Sequence, residues 1–115
     1  MKLINSRIEK EIRDNLKNYS TLITENKEIF IFLNEKFKEI SSVYALNHTI
    51  EQGEDIYTLL VNGEVVIDFE ISRINNSIYD VSIKTVSDYS KEIKQKLPKL
   101  KLMIALELSK KTNNS

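Results

Sequence analysis

The chain has 115 residues, with 17 basic and 17 acidic side chains, one histidine, two glycines, one proline and no cysteine. That length suits one domain, which at this size buries roughly two-thirds of its unfolded-chain surface and needs no covalent staple. The lack of cysteine excludes a disulfide framework and any thiolate metal site, and it fits a reducing compartment. No apolar run follows Met-Lys-Leu-Ile-Asn-Ser-Arg, so a secretory signal is not expected. The longest apolar runs, residues 29–33 and 102–106, are too short to span a bilayer. A soluble, cytoplasmic protein without membrane contact is the expectation.

The charges are unevenly spread. Residues 1–54 carry 8 basic and 9 acidic side chains, residues 55–87 carry 2 and 5, and residues 88–115 carry 7 and 3. Mutual neutralisation inside one domain is the plain reading of that asymmetry, and a partner-facing surface is the other.

Ile4, Ile8, Ile12 and Leu16 recur every four residues, which predicts an amphipathic helix of about four turns. Residues 19–24 either break it or carry it on through Leu22 and Ile23. A second helix starts near Thr24 or Asn26, either of which can cap it. It buries Ile29, Phe32, Leu33, Phe37 and Ile40, with Phe30 alongside, and Ser41 and Ser42 end it.

Residues 43–50 predict a strand in which Tyr44, Leu46, His48 and Ile50 alternate with Ala45, Asn47 and Thr49. Residues 51–54 are the turn that follows. An odd turn sets His48 opposite the Ile56 or Thr58 region, and a four-residue turn points it outward.

The central hairpin comes next. Asn62-Gly63 supplies the two positive-φ positions of a two-residue type I′ turn. Such a turn pairs Leu60 with Val65, Thr58 with Ile67 and Ile56 with Phe69. The core face is then Ile56, Thr58 and Leu60 with Val65, Ile67, Phe69 and Ile71. A three-residue loop at 75–77 keeps Val81 and Ile83 on that face, paired with Ile71 and Phe69. The opposite face carries three rows: Tyr57, Asp68 and Lys84, then Asp55, Glu70 and Ser82, then Leu59, Val66 and Val86. It is acidic at one end and apolar at the other, whereas a solvated sheet face is polar throughout. A helix or a partner must cover the apolar end.

Ser87 or Ser90 caps the last segment, where Ile93, Leu97, Leu100, Ile104 and Leu108 stand at helical spacing. Pro98 divides it into a helix to about Lys96 and a second over 98–111, or kinks a single one. Leu100, Leu102, Ile104, Leu106 and Leu108 also alternate as a strand would. The surrounding Leu, Met, Ala, Glu and Lys decide for helix, with Ile104 the one β-branched residue among them. Residues 112–115 read as a disordered tail. The expected fold is α+β: two N-terminal helices, a four-stranded antiparallel β-meander over 43–86 and a C-terminal helical segment, with helices on one face of the sheet.

Little in the chain signals catalysis. There is no Gly-rich phosphate loop, no His pair and no nucleophile elbow, so neither a metal nor a cofactor is expected. Tyr57, Asp68, Glu70 and Lys84 could serve a metal-dependent nuclease, with carboxylates on the ion and lysine on the attacking water or phosphate. That chemistry usually places an acid two residues before the lysine, and here the strand reads Ser82-Ile83-Lys84. Asp68 and Lys84 therefore read as a cross-strand ion pair. His48 with Glu51 and Asp55 has the form of a general base with an acidic orienter. It has equally the form of a histidine in a half-buried strand, and no nucleophile or oxyanion hole lies near. Lys91, Lys94, Lys96, Lys99 and Lys101 are the nucleic-acid candidates, but no aromatic residue is interleaved to stack bases, so a solvated helix face is expected instead.

The sequence thus favours a protein-binding or inhibitor protein over an enzyme. Its candidate partner surface is Asp55, Tyr57, Leu59, Val66, Asp68, Glu70 and Lys84, with Tyr57 as anchor and the carboxylates as a rim for a basic partner. Antitoxins, phage inhibitors and immunity proteins are of this kind. Immunity against a nuclease toxin is the specific expectation, because nuclease sites are basic. The competing expectations are a small metal-dependent nuclease or hydrolase using the same carboxylates, and a homodimer formed through the Leu59, Val66 and Val86 row.

Overall fold

The structure, a computed structural model, describes residues 2–113. In chain order the elements are α1 (Lys2–Glu25), α2 (Lys27–Lys36), β1 (Val43–Glu51), β2 (Glu54–Val61), β3 (Val65–Ser72), β4 (Ile78–Thr85), α3 (Val86–Glu92) and α4 (Lys96–Asn113). The strands form one antiparallel sheet in the order β1-β2-β3-β4, so the fold is α+β with an antiparallel meander. No helix among the described residues is long and apolar enough to cross a membrane. Of the expected tail, Thr112 and Asn113 continue α4, and Asn114 and Ser115 lie outside the described residues, as does the Ile4 side chain.

α1 runs unbroken through residues 19–24. Its stripe continues past Leu16 into Tyr19 and Ile23, so a further turn gains burial. Asn26 caps α2, its side-chain oxygen accepting from the Ile29 N–H at 3.1 Å. α2 buries Ile29, Phe32 and Leu33 but stops at Lys36, so Phe37 and Ile40 reach the core from extended chain.

The pairing of β2 with β3 departs from expectation by one residue. Asn62 and Gly63 do take the left-handed conformation (φ 57° and 68°), and the Glu64 N–H donates to the Val61 carbonyl at 3.0 Å. Glu64 is then left out of the ladder, which resumes with Val61 opposite Val65. The loop has three residues, and each β3 side chain changes face relative to β2. Tyr57 now lies opposite Phe69, Leu59 opposite Ile67, and Thr58 opposite Asp68.

The next turn is also longer than expected. Ile71 pairs with Ile78, not Val81, across a loop closed by the Ser72 N–H on the Ser77 carbonyl at 2.9 Å. A bulge follows at Asp80 (φ 54°), between the pairs Glu70–Tyr79 and Asp68–Ser82. Val81 and Ile83 end 39% and 49% exposed on the edge strand β4, whose Ile78 packs against the α2 core. β1 carries its own bulge at Leu46, and it turns into β2 through Gln52-Gly53 alone, which sets His48 opposite Tyr57.

Helices cover both faces of the sheet, which corrects the one-face expectation. On the first face, Val43, Ala45, Tyr57, Leu59, Val61, Ile67, Phe69 and Ile71 pack under α2 and the Tyr19–Ile23 end of α1. On the second, Tyr44, Leu46, Leu60 and Val66 pack under Leu102, Ala105 and Leu108 of α4 and Leu16 of α1. α1 thus straddles the β1 edge and feeds both cores, which also shields that edge from pairing. The reason is legible in β2: the run 57–61 is buried throughout, as in a strand covered on both sides.

Thr85 caps α3, in place of Ser87 or Ser90, its hydroxyl accepting from the Asp88 N–H at 3.0 Å. The C-terminal segment is helical. Pro98 sits in the first turn of α4, where its missing N–H leaves no bond unmade.

Gly63 backs onto α4, and a Cβ built there would stand 2.8 Å from Ser109 Cβ at a φ of 68°. Gly63→Ala should therefore cost about 1–3 kcal/mol through backbone strain and the clash. Urea unfolding reads this directly, and an unshifted midpoint would mean the turn does not press on α4 as described.

Candidate functional site

The seven candidate partner-surface residues do not share a face. Asp55, Tyr57 and Leu59 belong to the first face, and Val66, Asp68, Glu70 and Lys84 to the second. The one-residue change of register separates them. Leu59 and Val66 are both 0% exposed and sit in different cores. With Val86 at the start of α3, the expected apolar row offers no surface for a second copy. Tyr57 is buried between His48, stacked at 4.2 Å, and Phe69, stacked at 5.5 Å. Burial raises its hydroxyl pKa. It packs the core and does not stand out as an anchor.

A polar chain ties the first face together at its edge. The Tyr19 hydroxyl meets His48 Nδ1, and His48 Nε2 meets Asp55 Oδ1 at 2.9 Å. Arg73 grips the same carboxylate twice, Nε at 3.1 Å and an Nη at 3.0 Å. Arg73 first, and His48 after it, hold the Asp55 carboxyl down to about 2. Sequence reasoning had His48 and Asp55 together, but not Tyr19 or Arg73. Both His48 nitrogens and both Asp55 oxygens are engaged, so the group anchors α1 to the β1–β2 turn.

The second face is divided. Its Tyr44–Leu60–Val66 end lies under α4. Beyond it, Thr58 donates to Asp68 Oδ1 at 2.6 Å, and Lys84 bridges Asp68 Oδ2 and Glu92, each at 3.1 Å. The expected Asp68–Lys84 pair therefore exists, though on the diagonal, since Lys84 lies opposite Val66. It fastens α3 to the sheet. Beyond that row the face is open: Thr49, Ile56, Glu70 and Tyr79 lie in line across it, with Glu54 next to them.

That open half is acidic. Glu70 hydrogen-bonds Asp80, and Tyr79 donates to Glu54. The bond with Asp80, then partial burial, then the charges of Asp80 and Glu54, push Glu70 up to about 7. Among the described residues none of these three carboxylates has a lysine or arginine partner. No three His, Asp or Glu side chains among the described residues are placed to hold a metal ion. Glu54, Tyr79 and Asp80 were not marked by the sequence. Asp80 joins Glu70 only through the bulge, and nothing local announces one beyond a residue type that tolerates positive φ.

The chain was compared with protein-family models, with curated proteins and with solved structures, and nothing matches it in any of the three.

These two acids act in opposite directions on stability. Glu70 holds its proton more tightly folded than unfolded, so stability falls as pH rises from about 4.5 through about 7. Asp55 holds its proton less tightly folded, so stability is lost as pH falls from 3.8 towards about 2. The urea midpoint should be higher at pH 5 than at pH 8, and Glu70→Gln should remove that decline. Equal midpoints would contradict the crowding at Glu70. At neutral pH, Asp55→Asn should cost about 1–3 kcal/mol, from charged hydrogen bonds lost to His48 and Arg73.

Proposed function

We propose that the protein is a non-catalytic binding protein whose open acidic half-face docks a basic protein partner. The single observation behind this is the crowding of Glu54, Glu70 and Asp80 without a cation among the described residues, which pushes the Glu70 carboxyl up to about 7. A lysine or arginine brought by a partner would relieve that repulsion and release the proton. Half-buried Ile56 and exposed Tyr79 supply the apolar contact at the centre of the same patch. Asp68, already held by Thr58 and Lys84, forms the inner margin.

Among basic partners we put forward a nucleic-acid-cleaving toxin domain, which makes this protein its immunity protein or antitoxin. The support is chemical: a phosphate-binding cleft is cationic and accepts a carboxylate-rich surface as a mimic. Neutralisation would take place by occlusion, with no reaction at the acidic face.

The reading is tested by affinity capture from host lysate, with partners identified by mass spectrometry and then purified. The wild-type chain should retain a stoichiometric basic protein, and one equivalent should silence its nuclease activity. Glu70→Lys with Asp80→Lys should weaken binding by about 100-fold or more while the unfolding midpoint holds. Affinity should also rise from pH 6 to pH 8, as Glu70 ionises, and fall with salt. A partner bound equally well by the charge-reversed chain would remove the acidic face from the account.

A further inference from the structure

The lysine-rich C-terminal segment has no part in the acidic face. It borders a cavity of about 420 Å³ on the opposite margin of the second core. α1 contributes Ile12, the first turn of α4 contributes Leu97 and Pro98, and the β1 bulge contributes Leu46. Leu46 follows Ala45 onto the α4 side by ordinary alternation and joins that core. The bulge then sets Asn47 opposite Thr58, so it shares the face with Leu46 and lines the same cavity.

Three polar side chains share the lining: Lys101, Tyr89 and Asn47. Lys101 is half-withdrawn from water, and that burial alone lowers its pKa. No carboxylate among the described residues pairs with it. A half-buried cation without a counter-charge gains from a ligand that supplies one. The Tyr89 hydroxyl is pushed up by burial first and then by the charges of Asp68 and Glu92, with Lys84 opposing, so it faces the Asp68–Lys84–Glu92 group and lends the cavity its ring. The first turn of α4 holds no acidic residue, and its N–H groups add partial positive charge on the same side. Lys96 and Lys99 extend the field.

We infer that this cavity binds a small amphipathic carboxylate, a monoanion with a medium-length alkyl or aryl body. The carboxylate takes the Lys101 ammonium, with the Asn47 amide as a further donor and the Tyr89 ring as part of the wall. The apolar body lies against Ile12, Leu46, Leu97 and Pro98. The volume falls within the range of ordinary ligand pockets, and the mix of apolar walls with a few polar groups is theirs also.

The test is an NMR titration of the ¹⁵N-labelled full chain with sodium octanoate, octanamide and sodium acetate. Octanoate should give saturable shifts centred on Leu46, Asn47, Tyr89 and Leu97. Octanamide, equal in length but neutral, should bind about tenfold more weakly, the worth of one charge-assisted contact. Acetate, which has the charge without the body, should not saturate. Lys101→Met should bring octanoate and octanamide to equal affinity. The inference is overturned by octanoate that fails to saturate, by shifts that map elsewhere, or by equal binding of octanoate and octanamide to the wild-type chain. The last comparison needs no variant to fold.

Discussion

The Asn62-Gly63-Glu64 turn is the constraint on which the remaining architecture depends. Asn62 is tied down on every side. Its Oδ1 accepts from the Ser41 N–H at 2.7 Å and the Ser42 N–H at 3.3 Å, its Nδ2 donates to the Glu39 carbonyl at 2.7 Å, and its own N–H donates to the Ser42 carbonyl at 2.8 Å. Gly63 touches Ser109 of α4 on the other side. One turn therefore binds the α2–β1 connection to the hairpin and seats α4 against the sheet. Leaving Glu64 out of the ladder then decides which side chains each helix meets. Val61, Leu59 and Tyr57 join Ile67 and Phe69 under α2, while Leu60 and Val66 are left for α4.

A sheet with two cores needs helices on both faces, and this chain has few to spend. α1 serves both by lying along β1, with Leu16 in one core and Ile23 in the other. α4 reaches only one end of its face. α3 is pinned by the Lys84 bridge to Asp68 and Glu92 and extends the cover a little. The uncovered end is where Glu54, Glu70 and Asp80 collect. The acidic face is thus what remains of a two-sided sheet once a short C-terminal segment has covered its share. Both proposed sites arise at the margins of that coverage, the anionic one on the open sheet and the cationic one where α1, β1 and α4 meet. Their opposite charges follow the segmental imbalance of the sequence, negative in the strands and positive after residue 88.

Element identity was legible because periodicity and turn residues act locally. The four strands, the α2 cap at Asn26 and the helical nature of the last segment all followed from residues within one turn of where they act. Register was not legible, for a definite reason. The run Tyr57–Val61 is apolar on both sides, so alternation could not say which side met α2. Asn-Gly indicated the correct backbone conformation at both positions, but a type I′ turn is compatible with a further unpaired residue at Glu64. Two bulges, at Leu46 and Asp80, compounded the difficulty, since each swaps faces midway through a strand. The candidate site suffered most: Asp55 and Tyr57 moved to the opposite face from Asp68 and Glu70. The Asp68–Lys84 pair survived because a lysine is long enough to reach along the diagonal.

The pairing of β2 with β3 can be read without any partner or ligand, from backbone NOEs on the isotope-labelled chain. The three-residue turn predicts cross-strand contacts linking Tyr57 to Phe69 and Leu59 to Ile67, with Glu64 outside the ladder. NOEs linking Ile56 to Phe69 and Thr58 to Ile67 would show the two-residue turn instead. That result would return Asp55, Tyr57, Asp68 and Glu70 to a single face and contradict the division of the sheet on which the proposed acidic site rests.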